Sequence, residues 1–143
     1  MLGTDGQKMS KSRGNTILLK MTAEQTAKAI KGAKTDVNRH ISFEPQNRPE
    51  VANLLQLVAR CTGETPEDIA GRIGDSGSGR LKALLTEALN AYLAPIRERR
   101  TRYAADPAYL REVLRKGVQR ARTEAVATLE QVRRVMNMDH GLD

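Results

Sequence analysis

The chain has 143 residues, one cysteine, two histidines and no tryptophan, and its 24 Lys and Arg against 17 Asp and Glu leave a net charge of +7. That length supports a domain with its own core, built here from aliphatic residues that favour helices. One cysteine and two distant histidines, His40 and His140, exclude an intramolecular disulfide and any zinc spacing. No run reaches the ~20 apolar residues of a membrane span and no signal-peptide pattern opens the chain, so a cytoplasmic protein is expected. Bases outnumber acids before Thr35 and again from Arg80 onward, while acids dominate between. Basic ends around a mildly acidic middle fit two separate anionic contacts.

The chain opens with a loop in which Lys8, Met9, Ser10, Lys11 and Ser12 lie among Gly3, Gly6 and Gly14. Lys8 and Lys11 supply compact charges for a polyphosphate and Ser10 and Ser12 supply hydroxyl donors. The glycines let the segment open and close, and Met9 is the apolar anchor. Composition alone favours a solvated tail, and the order of the residues reverses that reading. Residues 17–21 follow as a short extended segment. Thr22 then caps a helix, with Gln25 closing a capping box and Ala23, Ala27, Ile30 and Ala33 on one face. Breakers at Asp36, Asn38, Pro45, Asn47 and Pro49 mark residues 35–49 as a crossover and the expected hinge. Phe43 either anchors this loop or faces a ligand.

Val51, Leu54, Leu55, Val58 and Cys61 mark an amphipathic helix ended by Gly63, with Cys61 as a buried core thiol. Thr65 and Pro66 start a short helix that Gly74 closes. The Gly/Ser stretch 75–79 lacks the Lys of a P-loop and reads as a helix-to-helix turn. A core helix follows, carrying Leu81, Leu84, Leu85, Ala88, Leu89, Tyr92, Leu93 and Ile96, with a kink or local break expected at Pro95 that redirects Arg97, Arg99, Arg100 and Arg102. Asp106 and Pro107 start a last helix running to about Asn137. Leu110, Val113, Leu114, Gly117, Ala121, Ala125, Val132 and Val135 are its expected buried stripe, and Arg111, Arg115, Arg122 and Arg133 share a narrow sector beside it. Residues after Met138 are expected to be loose. The fold class is all-α, a helical bundle preceded by an active-site loop, with divisions 1–21, 22–49 and 50–143.

The string from Gly3 through Lys8, Met9, Ser10, Lys11 and Ser12 to Asn15 resembles the second signature, KMSKS, of class I aminoacyl-tRNA synthetases. Its flanks, together with Thr35-Asp36, residues 48–55 and the stretch from Tyr92 to Arg100, look most like the tryptophanyl-tRNA synthetases. Nothing in the chain resembles the His-x-Gly-His element or the nucleotide-binding half of that family. The resemblance therefore implies the carboxyl-terminal part of a tryptophan-tRNA ligase, with the loop and a helical anticodon-binding domain. It implies ATP as substrate with Mg as its counter-ion, no protein-bound metal, and contact of Lys8 and Lys11, assisted by Met9, Ser10 and Ser12, with the departing pyrophosphate. It further implies tRNA(Trp) as partner through Arg97, Arg100, Arg111, Arg115 and Arg122, and homodimerisation in the intact family. Alone, the chain is expected to be inactive, with residues 1–16 mobile or in a non-catalytic conformation. Two other readings stay open: a non-catalytic RNA-binding or regulatory derivative, and a helical interaction domain.

Overall fold

The computed structural model describes residues 2–138. Among these, five α-helices carry the architecture: α1 (Ala23–Lys31), α2 (Pro49–Thr62), α3 (Pro66–Ile73), α4 (Gly77–Ala104) and α5 (Pro107–Val135). Single 3-10 turns stand at Lys11–Arg13 and Gly74–Ser76. The described residues contain no strand, only an isolated antiparallel bridge between Leu2 and Lys8, so the all-α expectation holds. The chain divides into two compact units, the first ending at Glu98 and the second starting at Arg99.

Helix ends in the first unit follow local chemistry. The Thr22 hydroxyl accepts from the Gln25 amide at 3.2 Å while the Gln25 side chain accepts from the Thr22 amide at 3.0 Å, completing the capping box of α1. α2 starts on Pro49 and stops at Gly63, whose φ of 82° is the left-handed conformation that a side chain disfavours. Thr65 caps α3 by accepting from the Asp68 amide. Together with the start of α4 these helices bury Ile30, Val51, Leu55, Val58, Ile69, Leu81 and Leu85 in one aliphatic core. Each such side chain contributes roughly 1.5–3 kcal/mol on removal from water. Phe43 packs against that core, in keeping with the anchoring reading.

The crossover between α1 and α2 is fastened by Arg48, only 8% exposed. Its guanidinium donates to Asp36 at 2.7 and 2.8 Å, to the His40 carbonyl at 2.7 Å, to the Ser42 hydroxyl at 2.8 Å and to the Asn38 carbonyl at 3.3 Å. This pairing holds the Asp36 carboxyl below its ordinary range. A second tie joins the crossover to the turn before α4, where the Ile41 amide donates to the Gly74 carbonyl and His40 bonds Asp75 at 2.8 Å.

Several expectations need correction. Residues 17–21 are irregular, with a turn closed by the Met21 amide on the Leu18 carbonyl, because no neighbouring strand offers them a ladder. α4 begins at Gly77, inside the stretch expected to be a turn, and runs on through Pro95. Proline removes one donor from the ladder, and one missing bond does not end a 28-residue helix whose other turns remain bonded. Tyr92 is 55% exposed, at the margin of the α4 face that buries Leu81, Leu85 and Leu93. Cys61 is half-buried, and desolvation still pushes its thiol pKa up. The stripe of α5 is exposed, with Leu110, Val113, Leu114, Val132 and Val135 all open to solvent. Amphipathic spacing reports that a face is apolar and not that something covers it. The second unit holds little besides the end of α4 and α5, where Tyr103 stacks on Tyr109 at 5.8 Å. His140 and the expected loose tail lie outside the described residues.

Candidate functional site

Lys8, Met9, Ser10, Lys11 and Ser12 form one loop built on a short closed track. The Gly3 amide donates to the Gln7 carbonyl at 2.7 Å, and the Thr4 amide donates to the Asn15 carbonyl at 2.9 Å, so the two ends of residues 3–15 lie side by side. Gly6, at φ 79°, makes the turn between Gly3 and Gln7. Lys8 and Lys11 are exposed and enter no ion pair among the described residues. Two cations are therefore presented to solvent from one short loop, which suits a polyanion better than a protein carboxylate. The Ser10 and Ser12 hydroxyls bond each other at 2.8 Å. Met9 points the opposite way in character, lining a cavity of about 20 Å³ with Ile17, Ile30, Leu54 and Leu57.

What fixes the loop is a set of residues to which sequence reasoning assigns no role. Asn15, 2% exposed, accepts from the Ser10 amide at 2.8 Å and donates to the Asp5 carboxylate at 2.8 Å and to the Lys8 carbonyl at 3.2 Å. Asn53 of α2 receives the Leu2 amide at 3.0 Å and donates to the Leu2 carbonyl at 3.2 Å, pairing the strand-like start of the loop as a second strand would. Lys34 adds two ties, its amide on the Thr4 carbonyl and its ammonium on Glu50 at 2.8 Å. The Glu50 carboxyl is lowered and the Lys34 ammonium raised by that pair. In the sequence Asn15 closes the signature string without any role of its own. Asn53 sits at roughly 200° from Val51 by helical spacing of ~100° per residue, so periodicity marks it as solvated.

The arginines are placed unevenly. Arg97 belongs to the first unit, where it donates to the Thr26 hydroxyl and the Asn90 side-chain amide oxygen, each at 2.9 Å, and so ties α4 to α1. Arg115 is engaged by Glu112 through two bonds of 2.8 and 2.9 Å, in an exposed pair that solvent screens. Arg100, Arg111 and Arg122 are exposed on the second unit. The loop residues and these three arginines thus fall in separate units.

Residues 1–94 match the model of the tRNA synthetases class I (W and Y). The chain belongs to that family. Within the family, it is 44% identical to the tryptophan–tRNA ligase of Thermosynechococcus vestitus over 134 residues, 91% of this chain and 41% of that relative. It is 38% identical to the tryptophan–tRNA ligase of Streptococcus pyogenes, over 96% of this chain and 42% of the relative. Its fold matches the crystal structure of tryptophanyl-tRNA synthetase from Campylobacter jejuni complexed with ADP and tryptophan. That match has a TM-score of 0.77 at 28% identity, covering 95% of this chain and 43% of the other. The chain therefore spans less than half the length of these synthetases.

Proposed function

We propose that this chain is the carboxyl-terminal part of a tryptophan–tRNA ligase, bringing the phosphate-handling loop and the anticodon-binding helices to a cytoplasmic, tRNA(Trp)-charging enzyme. In the reaction such an enzyme performs, the tryptophan carboxylate attacks the α-phosphate of ATP and negative charge gathers on the departing pyrophosphate, accompanied by Mg as its counter-ion. Lys8 and Lys11 hold that charge, the Ser10 and Ser12 hydroxyls exchange their mutual bond for phosphate oxygens, and Met9 keeps the loop seated. The observation that carries this reading is the pair of solvent-facing, acid-free lysines on a loop whose backbone is fastened from below by Asn15 and Asn53. Exposed Arg100, Arg111 and Arg122 supply phosphate contacts to tRNA. Arg115 joins them by leaving Glu112, and Arg97 contributes while tying α4 to α1. Homodimerisation belongs to the assembled enzyme.

The test is reconstitution. Mixing the chain with the amino-terminal half of a related synthetase should restore tryptophan-dependent pyrophosphate exchange, and Lys11→Ala should slow it by roughly 100-fold or more. The exposed arginine sector of α5 favours a second reading, RNA binding without catalysis. Binding of tRNA with no recovery of exchange would favour that reading and sink the first.

A further inference from the structure

Asn15 bonds to both limbs of the loop through its side chain, and its three bonds have a definite polarity. Both hydrogens of its amide are spent on acceptors, the Asp5 carboxylate and the Lys8 carbonyl, and its oxygen accepts from the Ser10 amide. Turning the amide over would set oxygen against two oxygens, so the orientation is fixed by its partners. The fit is also steric. A Cβ on Gly3 would stand 2.4 Å from Asn15 Cγ, 2.5 Å from its Nδ2 and 2.6 Å from its backbone oxygen, so glycine at that position makes room for the carboxamide. The residues held in this way, Asp5, Lys8 and Ser10, bracket the first lysine of the site.

We infer that Asn15 is the positioning residue of the phosphate loop, setting the backbone path through Lys8 to Ser10, and that it must be neutral to do so. The inference rests on the phosphate-binding reading above. An aspartate of the same shape has no donor for Asp5 and would place two carboxylates about 2.8 Å apart. Like charges at that distance cannot both ionise comfortably, so one carboxyl pKa of the pair is raised. As pH falls through that raised value a proton bridges the pair and restores the donor to Asp5, leaving unmade only the longer 3.2 Å bond to the Lys8 carbonyl. The charged groups that bear on Asp5 are Arg13, whose charge favours its carboxylate, and Lys34, which is paired with Glu50 of α2; Lys8 and Lys11 lie on the same loop.

The experiment compares the wild-type chain with Asn15→Asp, Asn15→Ala and Lys11→Ala at pH 7.5 and pH 5. It measures exchange protection of the Ser10 amide by NMR and affinity for inorganic pyrophosphate by calorimetry, with helix content checked by circular dichroism. At pH 7.5 both Asn15 variants should lose Ser10 protection and bind pyrophosphate about tenfold more weakly. At pH 5 Asn15→Asp should regain protection and approach the wild-type affinity measured at the same pH, whereas Asn15→Ala should not. Lys11→Ala should lose pyrophosphate affinity with Ser10 still protected. If both Asn15 variants protect Ser10 as the wild type does, the positioning role is overturned whatever happens to pyrophosphate. If Ser10 responds as expected while pyrophosphate binds neither the wild type nor any variant, the phosphate reading fails and with it the functional half of the inference.

Discussion

Arg48 and Asp36 provide the sharpest test of what holds the first unit together. In Asp36→Ala the guanidinium keeps its bonds to the His40 and Asn38 carbonyls and the Ser42 hydroxyl and loses its bidentate, charged partner. Breaking a fully buried ion pair by removing one member costs about 3–5 kcal/mol. The Arg48 side chain is 9% exposed but that of Asp36 is 34% exposed, so solvent screens part of the attraction. The expected cost is about 2–3 kcal/mol. Hydrogen exchange of the α2 amides in rising urea reads the first unit without interference from α5. With a urea m-value of ~1 kcal/mol/M, the unfolding midpoint should fall by about 2 M or more. The sign of the pH dependence follows from the lowered folded pKa of Asp36 against its ordinary 3.8. The stabilisation is fully present above that ordinary value and is lost as pH falls through the lower folded one. The gap between wild type and variant should therefore stay level from pH 7 to pH 5 and close below about 4. A variant within about 0.5 kcal/mol of wild type would refute the argument. So would a double variant with Arg48→Met that costs the full sum of the two single changes, since coupled residues must show non-additivity.

Other expectations are simpler to check. Lys11→Ala should slow reconstituted pyrophosphate exchange by roughly 100- to 1000-fold, the usual loss for one transition-state donor; an effect on tryptophan binding alone would contradict this. Asn53→Ala leaves the Leu2 amide and carbonyl without their partner and should lower the exchange protection of the Thr4 and Ser10 amides, with a cost of about 1–3 kcal/mol. Gly6→Ala meets φ 79° and a Cβ only 2.9 Å from the Glu50 side chain, and should cost about 1–2 kcal/mol and loosen the Lys34–Glu50 pair. Replacing Arg111, Arg115 and Arg122 together by Ala should reduce the salt slope of tRNA binding by ~0.7 for each phosphate no longer neutralised, and an unchanged slope would remove α5 from the interface.

How far the sequence can be read depends on the range of the interaction. The Thr22–Gln25 capping box, the Thr65-Pro66 start and the Gly63 stop involve residues within a few positions of one another, and each forms as the spacing predicts. The aliphatic stripe of α2 is equally legible because its period of 3.6 is a local property. Asn15 and Asn53 escape because their value lies in partners five to ten and fifty-one residues away, and an asparagine has the same letters when solvated as when it closes a loop. Arg48 reads in the sequence as part of a motif, and its work of gathering Asp36, Asn38, His40 and Ser42 becomes visible only when the crossover folds around it. The stripe of α5 shows the converse error, since periodicity marks a face as apolar and is silent on whether anything covers it.

The passage of α4 through Pro95 also decides where a protease would divide this protein. The helix carries the chain from the first unit into the second at Glu98 and Arg99, just beyond the proline that deprives its ladder of one amide. Arg99, Arg100 and Arg102 stand exposed there, each a cleavage point for trypsin. A helical segment opens before it is cut, and the least supported turn opens first. Brief digestion should therefore sever the chain between Arg99 and Arg102, leaving the loop and its aliphatic core as the resistant fragment and releasing α5, whose own exposed arginines are open to further cutting. The same scission would part the lysines from the arginines of α5, giving a way to examine phosphate and RNA binding separately without altering a single residue.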